Sequence, residues 1–283
     1  MMACMRCLSI VVTLILVGIN ANSVLAQQRP LPIETVEGPG SGNVVLQTGV
    51  DYTRAARFTL SGLEGNLWRV ALVRIDVGLS SIADFELTGG LRDHLTITSR
   101  TPAVLSDLVQ LTDPSSTGAF DDIIVGTKIR LLGEQSGAPG VAVRVATRLP
   151  NAKHPSGLGQ DTTDFYSSLI VGQSISDTHV TGNLGVGILG DPLHGNRHVG
   201  SLLYGVALSH MVMADRATLI VGVDGRTGPA EPGLESRAIG RIGALWTHGP
   251  TRVELDGTLG LTNRDGNLGM ALTVGYTFHA FTP

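Results

Sequence analysis

The sequence predicts an all-β protein, a single antiparallel up-and-down transmembrane β-barrel of about twelve strands. Three observations support this prediction. Apolar and polar residues alternate with period two over many segments, and short and long connections alternate between those segments. Glycine is frequent, at 37 of 283 residues, whereas charged residues are only 16%. A sheet with one face in lipid and the other toward a lumen needs such alternation without long apolar runs.

The alternation is clearest from Thr251 to Leu261, where one face is mostly apolar and the other polar or charged. Its apolar face consists of Val253, Leu255, Gly257, Leu259 and Leu261, and its polar face of Arg252, Glu254, Asp256 and Thr258. The same pattern recurs in segments that begin near Val44, Val73, Ile123, Val141, Val180, Leu219 and Met270. Weaker strands are expected near 82–90, 163–173, 200–210 and 235–247, which brings the total to about twelve.

The connections between the predicted strands alternate in length. Those after even-numbered strands are short and fall near 80–81, 133–138, 174–178, 211–215 and 247–250. Those after odd-numbered strands include the longer segments 53–66, 91–121, 151–162, 190–199 and 226–234. Outer-membrane barrels have short periplasmic turns and long extracellular loops, which is the pattern expected if both termini are periplasmic.

The first 26 residues differ from the rest of the chain. Arg6 precedes an apolar run from Leu8 to Ile19, and Val24-Leu25-Ala26 offers small or apolar residues to a signal peptidase. The run is too short to span a membrane as a helix. We therefore expect a secretory signal peptide over residues 1–26, cleaved after Ala26, and a protein of the bacterial outer membrane in contact with its lipid.

The remaining chain divides into two predicted parts. Residues 27–42 read as a flexible N-terminal lead, because they end in a glycine-rich stretch, and residues 43–283 form the barrel. Both cysteines, Cys4 and Cys7, lie in the signal peptide. The exported chain is therefore expected to have neither a disulfide nor thiol chemistry.

Aromatic residues make up only 4% of the chain, too few for complete aromatic girdles at both membrane interfaces. A sparse belt is expected from the aromatic residues near strand ends, among them Trp68 and Trp246. The alternatives left open by this shortage are a soluble β-sandwich and a secreted barrel.

The polar faces of the predicted strands carry nearly balanced charge. The basic residues are Arg74, Lys128, Arg130, Arg144, Arg148, Arg241 and Arg252, and the acidic residues are Asp51, Asp76, Asp84, Glu86, Asp122, Asp224, Glu254 and Asp256. Buried charges are tolerated only when they are paired. Cross-strand ion pairs are therefore expected inside the barrel, with Asp122–Arg144 and Lys128 with Asp84 or Glu86 as candidates.

Two interpretations of these charges stay open. They either fill and close a narrow lumen, or the basic group on adjacent strands forms an electropositive lining that favours anionic solutes. The residues selected as lumen-lining are Lys128, Arg130, Arg144, Arg148, Asp84, Glu86, Arg252, Glu254 and Asp256.

A stretch from Asp121 to Gly187 carries a family resemblance. Its pieces are Asp122-Ile-Ile-Val-Gly126-Thr-Lys128-Ile-Arg130-Leu-Leu132, Arg144 to Pro150, Gly157-Leu-Gly159, Asp164-Phe165 and Asn183-Leu184-Gly185. In this order they resemble the MetA-pathway-of-phenol-degradation, transporter-like family of outer-membrane barrels. The resemblance implies a barrel that passes small, hydrophobic molecules, and it implies no catalytic residues. Barrel-assembly machinery usually reads a terminal aromatic residue, a role left here to Phe278 or Phe281 because the chain ends in Thr282-Pro283.

Evidence for an enzyme is weak, and no catalytic residue, metal ligand or cofactor is predicted. His194 and His198 have a helical metal spacing, but Gly195 and Asn196 between them argue against a helix. Ser167 is an outward hydroxyl without a histidine that can be placed beside it. The net charge of −4 gives no basic footprint for nucleic acid.

Three functions follow in order of preference. The first is a passive channel or transporter for small solutes, hydrophobic or anionic. The second is a closed barrel that acts through its outer loops as a structural or surface-interaction protein. The third is a membrane-embedded hydrolase.

Overall fold

The computed structural model describes residues 33–135, 137–213, 216–262 and 265–282, which are predominantly β-structure. Two short 3-10 helices, Ser106–Leu108 and His154–Ser156, lie in connections. No helix in this part of the chain is long and apolar enough to cross a membrane. The predicted signal peptide, 1–26, lies outside the described residues.

Thirteen strands are present in the described residues, and twelve of them have ten or more residues. They are β1 (Asn43–Phe58), β2 (Leu63–Gly78), β3 (Ala83–Arg100), β4 (Ser116–Ala119), β5 (Ile123–Leu132), β6 (Gly140–Leu149), β7 (Asp164–Ile175), β8 (Thr178–Gly190), β9 (His198–Met213), β10 (Ala217–Arg226), β11 (Arg237–His248), β12 (Thr251–Gly260) and β13 (Leu268–His279).

The twelve long strands close into one antiparallel barrel. Each pairs with its neighbours along the chain, and the ring is completed where β1 pairs with β13 from Asn43↔His279 to Thr53↔Gly269. The short β4 pairs only with the outer part of β3, Asp93–Thr96, while β5 pairs with the inner part, Ala83–Thr88. The predicted all-β, up-and-down barrel of twelve wall strands is therefore confirmed.

The two ends of the barrel differ. The turn end holds both termini of the barrel and the short connections 79–82, 133–139, 176–177, 214–216 and 249–250. The loop end holds the connections 59–62, 101–122, 150–163, 191–197, 227–236 and 261–267. The predicted alternation of short and longer connections is present, with one exception at the first hairpin.

That exception corrects the predicted loop 53–66. Strands β1 and β2 continue through most of this range and leave a connection of only 59–62. A register shift between Thr53 and Ala56 bends the extension, and an ion pair of 2.6 Å joins Arg57 Nε to Glu64 Oε2. The predicted loop 91–121 is likewise shortened, because β3 continues to Arg100. Apolar packing at the loop end stabilises these extensions.

The extended hairpin builds an apolar core beyond the barrel wall. Its buried members are Ala56, Phe58, Leu63, Leu67, Leu95 and Leu158. Three segments meet here, namely the β1–β2 tip (58–63), residues 150–163 and residues 227–236, which together we call the lid. Ser61 Oγ donates to the Gly157 carbonyl at 2.7 Å, and Thr59 Oγ1 accepts from Gly233 N at 3.1 Å. The lid therefore covers the loop end of the lumen.

The wall strands separate apolar and polar side chains as the alternation predicts. On β8, Leu184, Val186 and Ile188 point outward and are well exposed, whereas Thr181 is buried on the inner side. Large apolar side chains are similarly exposed on the outside of β7, β9, β12 and β13. The barrel therefore presents lipid-compatible side chains on its outer face.

Residues 33–38, expected as part of a flexible lead, lie against the inner wall of the barrel. Val36 is buried against Ala142 and Ile170 of the inner wall. Glycines on the same wall leave room for this segment: a Cβ on Gly222 would lie 2.9 Å from Ile33 Cδ1, and one on Gly140 would lie 3.0 Å from Val36 Cγ1. We call residues 33–38 the N-terminal segment.

Candidate functional site

The lumen contains a cavity of about 350 Å³. Gln160 of the lid lines its loop side, and Ile33 and Thr35 of the N-terminal segment line another wall. Side chains of the wall strands, from Gln47 on β1 to Thr273 on β13, and Asp121 and Asp122 before β5 supply the rest of the lining. This cavity, bounded by two chain segments that are not part of the wall, is the candidate functional site.

The N-terminal segment is held mainly through Glu34. The Glu34 carboxylate accepts two hydrogen bonds from the Arg74 guanidinium on β2, each of 2.9 Å, and Arg74 Nε also donates to Asp76 at 2.8 Å. Asn183 on β8, turned so that its oxygen faces the Glu34 N–H, accepts at 2.8 Å and donates to the Glu34 carbonyl at 3.1 Å. Paired arginine–carboxylate bonds of this kind fix orientation as well as position.

A second charge cluster lies on the wall beside this contact. Lys128 Nζ is 3.8 Å from Asp84 Oδ2 and 3.9 Å from Glu86 Oε1, so the predicted grouping of Lys128 with these two acids is present. Arg144 Nε donates to Glu86 Oε2 at 2.5 Å. Lys128 also donates to the Glu37 carbonyl at 3.1 Å. The cluster therefore joins three wall strands to the end of the N-terminal segment.

The loop side of the lumen is organised around Arg148. Its guanidinium lies 2.5 Å from Asp122 Oδ2 and 2.6 Å from Asp164 Oδ2, and it donates to Gln160 Oε1 at 2.9 Å. The proposed Asp122–Arg144 pair was therefore wrong. The register places Ile123 opposite Leu149, which brings Asp122 to the level of Arg148. Arg144 lies four residues earlier on β6, nearer the turn end.

The other selected lumen residues lie at different depths. Glu254 and Asp256 line the cavity. Arg252 shares their strand face by alternation, but it lies toward the turn end and is exposed. Arg130 also lies at the turn end, where it contacts the Glu37 carboxylate and the Ser81 carbonyl. Four of the selected basic residues, Lys128, Arg130, Arg144 and Arg148, lie on the adjacent strands β5 and β6 and extend from the turn end to the loop side of the lumen.

Three buried arginines of the cavity were missed in the sequence, namely Arg69, Arg226 and Arg237. Arg226 fell in a predicted loop. Arg69 and Arg74 are five positions apart on β2, and in an unbroken strand such residues face opposite sides of the sheet. Because Arg74 points inward, uninterrupted alternation would place Arg69 on the outer face. A bulge at Ala71, which has φ 54°, shifts the register and turns Arg69 inward. Polar Arg69 between outward Trp68 and Val70 was the available signal.

Ser174, His179 and Glu134 lie together near the turn end, but their geometry does not match a catalytic triad. Ser174 Oγ and Glu134 Oε2 both approach the same nitrogen of His179, Nδ1, at 3.1 and 3.6 Å. A base that activates a serine needs its orienting carboxylate on the other ring nitrogen. Ser167 is exposed on the outward side. Within the described residues, no group of three His, Cys, Asp or Glu side chains is placed to hold a metal ion.

A closed twelve-stranded barrel with an apolar outer face and a charged interior defines the class of transmembrane β-barrels. The fold is similar to that of the COG4313 outer membrane channel from Pseudomonas putida F1, with a TM-score of 0.62 and 13% identity over 89% of this chain and 100% of that chain. Weaker likenesses are found to the translocator domain of the autotransporter NalP from Neisseria meningitidis (TM-score 0.49, 17% identity, 84% and 89% covered) and to the porin NanC (0.48, 8%, 84% and 100%).

No family model matches the chain, and no curated protein sequence does. The resemblance to the MetA-pathway-of-phenol-degradation family therefore stays a hypothesis. The comparison with the Pseudomonas putida structure supports the barrel fold, because it extends over nearly the whole of both chains.

Proposed function

We propose that the protein is a channel of the bacterial outer membrane, reached after cleavage of the signal peptide following Ala26, and that it passes small solutes passively. The observation that carries this proposal is the cavity of about 350 Å³ inside a closed barrel. Two chain segments, the lid and the N-terminal segment, bound it. Movement of either segment widens a path without breaking the barrel wall.

The fold comparison supports the same proposal. The Pseudomonas putida protein is an outer membrane channel and has a similar barrel along its full length. Kinship with the transporter-like family suggested by the Asp121–Gly187 motifs is part of this proposal. The proposal also includes contact of the apolar outer face with outer-membrane lipid, and recognition of Phe278 or Phe281 by the barrel-assembly machinery.

The lining of the cavity suits solutes that are small and either hydrophobic or anionic. Leu72, Ile124 and Leu203 contribute apolar surface, and arginines contribute positive charge. Mixed apolar and charged walls bind a ligand body and orient its charged group. The lining is therefore unlike that of a purely hydrophilic pore.

Single-channel recording tests this proposal. The chain from Gln27, refolded and inserted into a planar bilayer, is expected to give discrete and reproducible conductance steps. In a salt gradient, the reversal potential is expected to show preference for anions. A barrel that inserts and resists denaturation but gives no steps at any voltage contradicts the channel proposal.

The lid favours one alternative function, a closed barrel that acts through its outer loops. Its apolar core and its hydrogen bonds, including the 2.9 Å bond from Gln160 Nε2 to the Gly233 carbonyl, give the loop end a defined surface. A protein of this kind shows ordered loops and no conductance, which is the outcome that separates it from the channel.

A further inference from the structure

Two buried arginines stand directly opposite each other on the inner wall. Arg226 on β10 is the cross-strand partner of Arg237 on β11, and the two residues are only 9% and 2% exposed. Like charges in directly opposed positions destabilise a sheet, and burial makes each charge more costly. A chain that keeps this pair requires negative charge nearby.

Buried carboxylates, those of Asp164 and Glu235, act on Arg226 electrostatically, but neither is in direct contact with it. Within the described residues, no carboxylate lies within 4.0 Å of its guanidinium, and its one hydrogen bond there runs from NH2 to the Gly233 carbonyl at 3.2 Å. Its Nε is buried without a hydrogen-bond partner. A buried charge-bearing donor left in this state is expensive.

Arg69 also lacks a close contact with a carboxylate among the described residues. It is 6% exposed, and its buried Nε has no hydrogen-bond partner. Asp51 and Asp93 flank it, but each pair is separated by 3.9 Å, beyond hydrogen-bonding distance. Arg69, Arg226 and Arg237 all line the same cavity.

Arginine is the most frequent charged residue of the lining. Six arginines and four carboxylates line the cavity, and carboxylates behind the lining, such as Glu34 and Asp224, engage some of these arginines. Three of the six are already engaged by carboxylates at short distance: Arg74 by Glu34, Arg148 by Asp122, and Arg241 by Asp224 at 2.5 Å. Arg69 and Arg226, in contrast, have no carboxylate within hydrogen-bonding distance among the described residues.

The rest of the lining is largely apolar. Leu72, Ile124, Leu203 and Ile220 face the same space. At about 350 Å³ the cavity has the size of pockets that hold small organic molecules. Apolar walls with cationic donors match a ligand that has one anionic group on a hydrocarbon body.

We propose that Arg226 and Arg69 form the recognition site of the cavity for a small organic monoanion, a carboxylate carried on an apolar body. This inference rests on the proposed function, since it names the solute class that the channel admits. The carboxylate accepts from the guanidinium groups of these two arginines, which line the cavity, and offsets the repulsion between Arg226 and Arg237. The apolar body lies against the aliphatic walls.

Isothermal titration of the refolded, detergent-solubilised protein tests the site, with sodium benzoate as the probe and benzamide as its neutral isostere. Benzoate is expected to bind saturably at one site per chain, and benzamide is expected not to bind. Arg226→Gln and Arg69→Gln are each expected to weaken benzoate binding about tenfold or more, since a charge-assisted bond contributes enough for that change.

Arg130→Gln is the matched control, because it removes the same charge from the turn end of the lumen, where Arg130 contacts Glu37. Its affinity for benzoate is expected to match the wild type. Equal binding of benzoate and benzamide, or equal loss in all three variants, overturns the proposal. Folding of each variant is checked by the heat-dependent gel shift of an intact barrel.

The channel proposal and the anion-site proposal are tested by different measurements, so either can be overturned without the other. Conductance steps without saturable benzoate binding overturn the anion site and leave the channel in place. Benzoate binding that depends on Arg226 and Arg69 without conductance supports the site and contradicts the channel.

Discussion

Glu34 is the residue on which the position of the N-terminal segment most depends. Glu34→Gln removes the charge that receives two bonds from Arg74, while Arg74 keeps Asp76. The docking of residues 33–38 is expected to weaken by about 1.5–3 kcal/mol, the usual contribution of a hydrogen bond to a charged group. Single-channel recording is expected to show larger or longer openings than in the wild type.

Glu37→Gln is the control for this prediction. The Glu37 carboxylate contacts Arg130 at the turn end, where it is half exposed, and exposed ion pairs contribute about 0–1 kcal/mol. Its conductance should stay close to that of the wild type. Identical traces from Glu34→Gln and the wild type would show that this ion pair does not hold the segment.

Two loop carboxylates at the loop end give a pH dependence. Hydrogen bonds from Arg197, at 2.6 and 2.8 Å, lower the pKa of Glu231. Burial opposes ionisation of Asp191, but N–H bonds from Leu193 and His194 outweigh it and lower the pKa of Asp191. A lowered pKa stabilises the folded loops above the unfolded value, about 4.3 for Glu. That stabilisation is lost as pH falls through the folded value.

Hydrogen exchange of 191–197 and 227–236 measures this effect. After correction for intrinsic rates, protection is expected to be lower at pH 3 than at pH 7. In Arg197→Gln the difference should shrink, because the contact is already absent at pH 7. Protection that is equal at both pH values in the unmodified protein would rule out this linkage.

At the scale of elements, the β1–β2 tip is the part that holds the lid together. Leu63 is buried there with Phe58, Leu67 and Leu158. Leu63→Ala is expected to cost about 2–5 kcal/mol, as for other buried leucines, and to loosen the lid without opening the barrel. Limited proteolysis of the folded protein is expected to cut within 59–62 or 150–163 faster than in the wild type.

Leu184→Ala makes the same deletion on the outward face of β8, where Leu184 is 59% exposed. Cleavage of the lid should be unaffected by it. If both variants are cut at the wild-type rate, the apolar core is not what orders the lid.

The strands were predictable where one alternation runs unbroken. The segment 251–261 was predicted with the correct faces, because every second side chain of β12 meets the same environment. Alternation failed on β2, where the bulge at Ala71 exchanges the faces and brings Arg69 inward. A bulge adds a residue without changing composition, so a period-two count passes over it.

At the scale of the whole molecule, closure of the barrel was predictable from the sequence. The position of the N-terminal segment inside the lumen was not. Strand number and connection lengths follow from local patterns repeated along the chain. The N-terminal segment is held by long-range contacts, such as Glu34 with Arg74 40 residues away and Glu37 with Lys128 91 residues away. A glycine-rich approach to the first strand reads as a linker, and no local pattern indicates that the residues before it occupy the lumen.

We propose that a solute path runs through this barrel and that the N-terminal segment narrows it. The most direct test compares single-channel conductance of the chain from Gln27 with that of a chain that begins at Pro39 and lacks the N-terminal segment. We predict discrete steps from both proteins and a clearly larger step from the shortened one. Equal conductance from the two folded barrels, or none from either, would contradict this account.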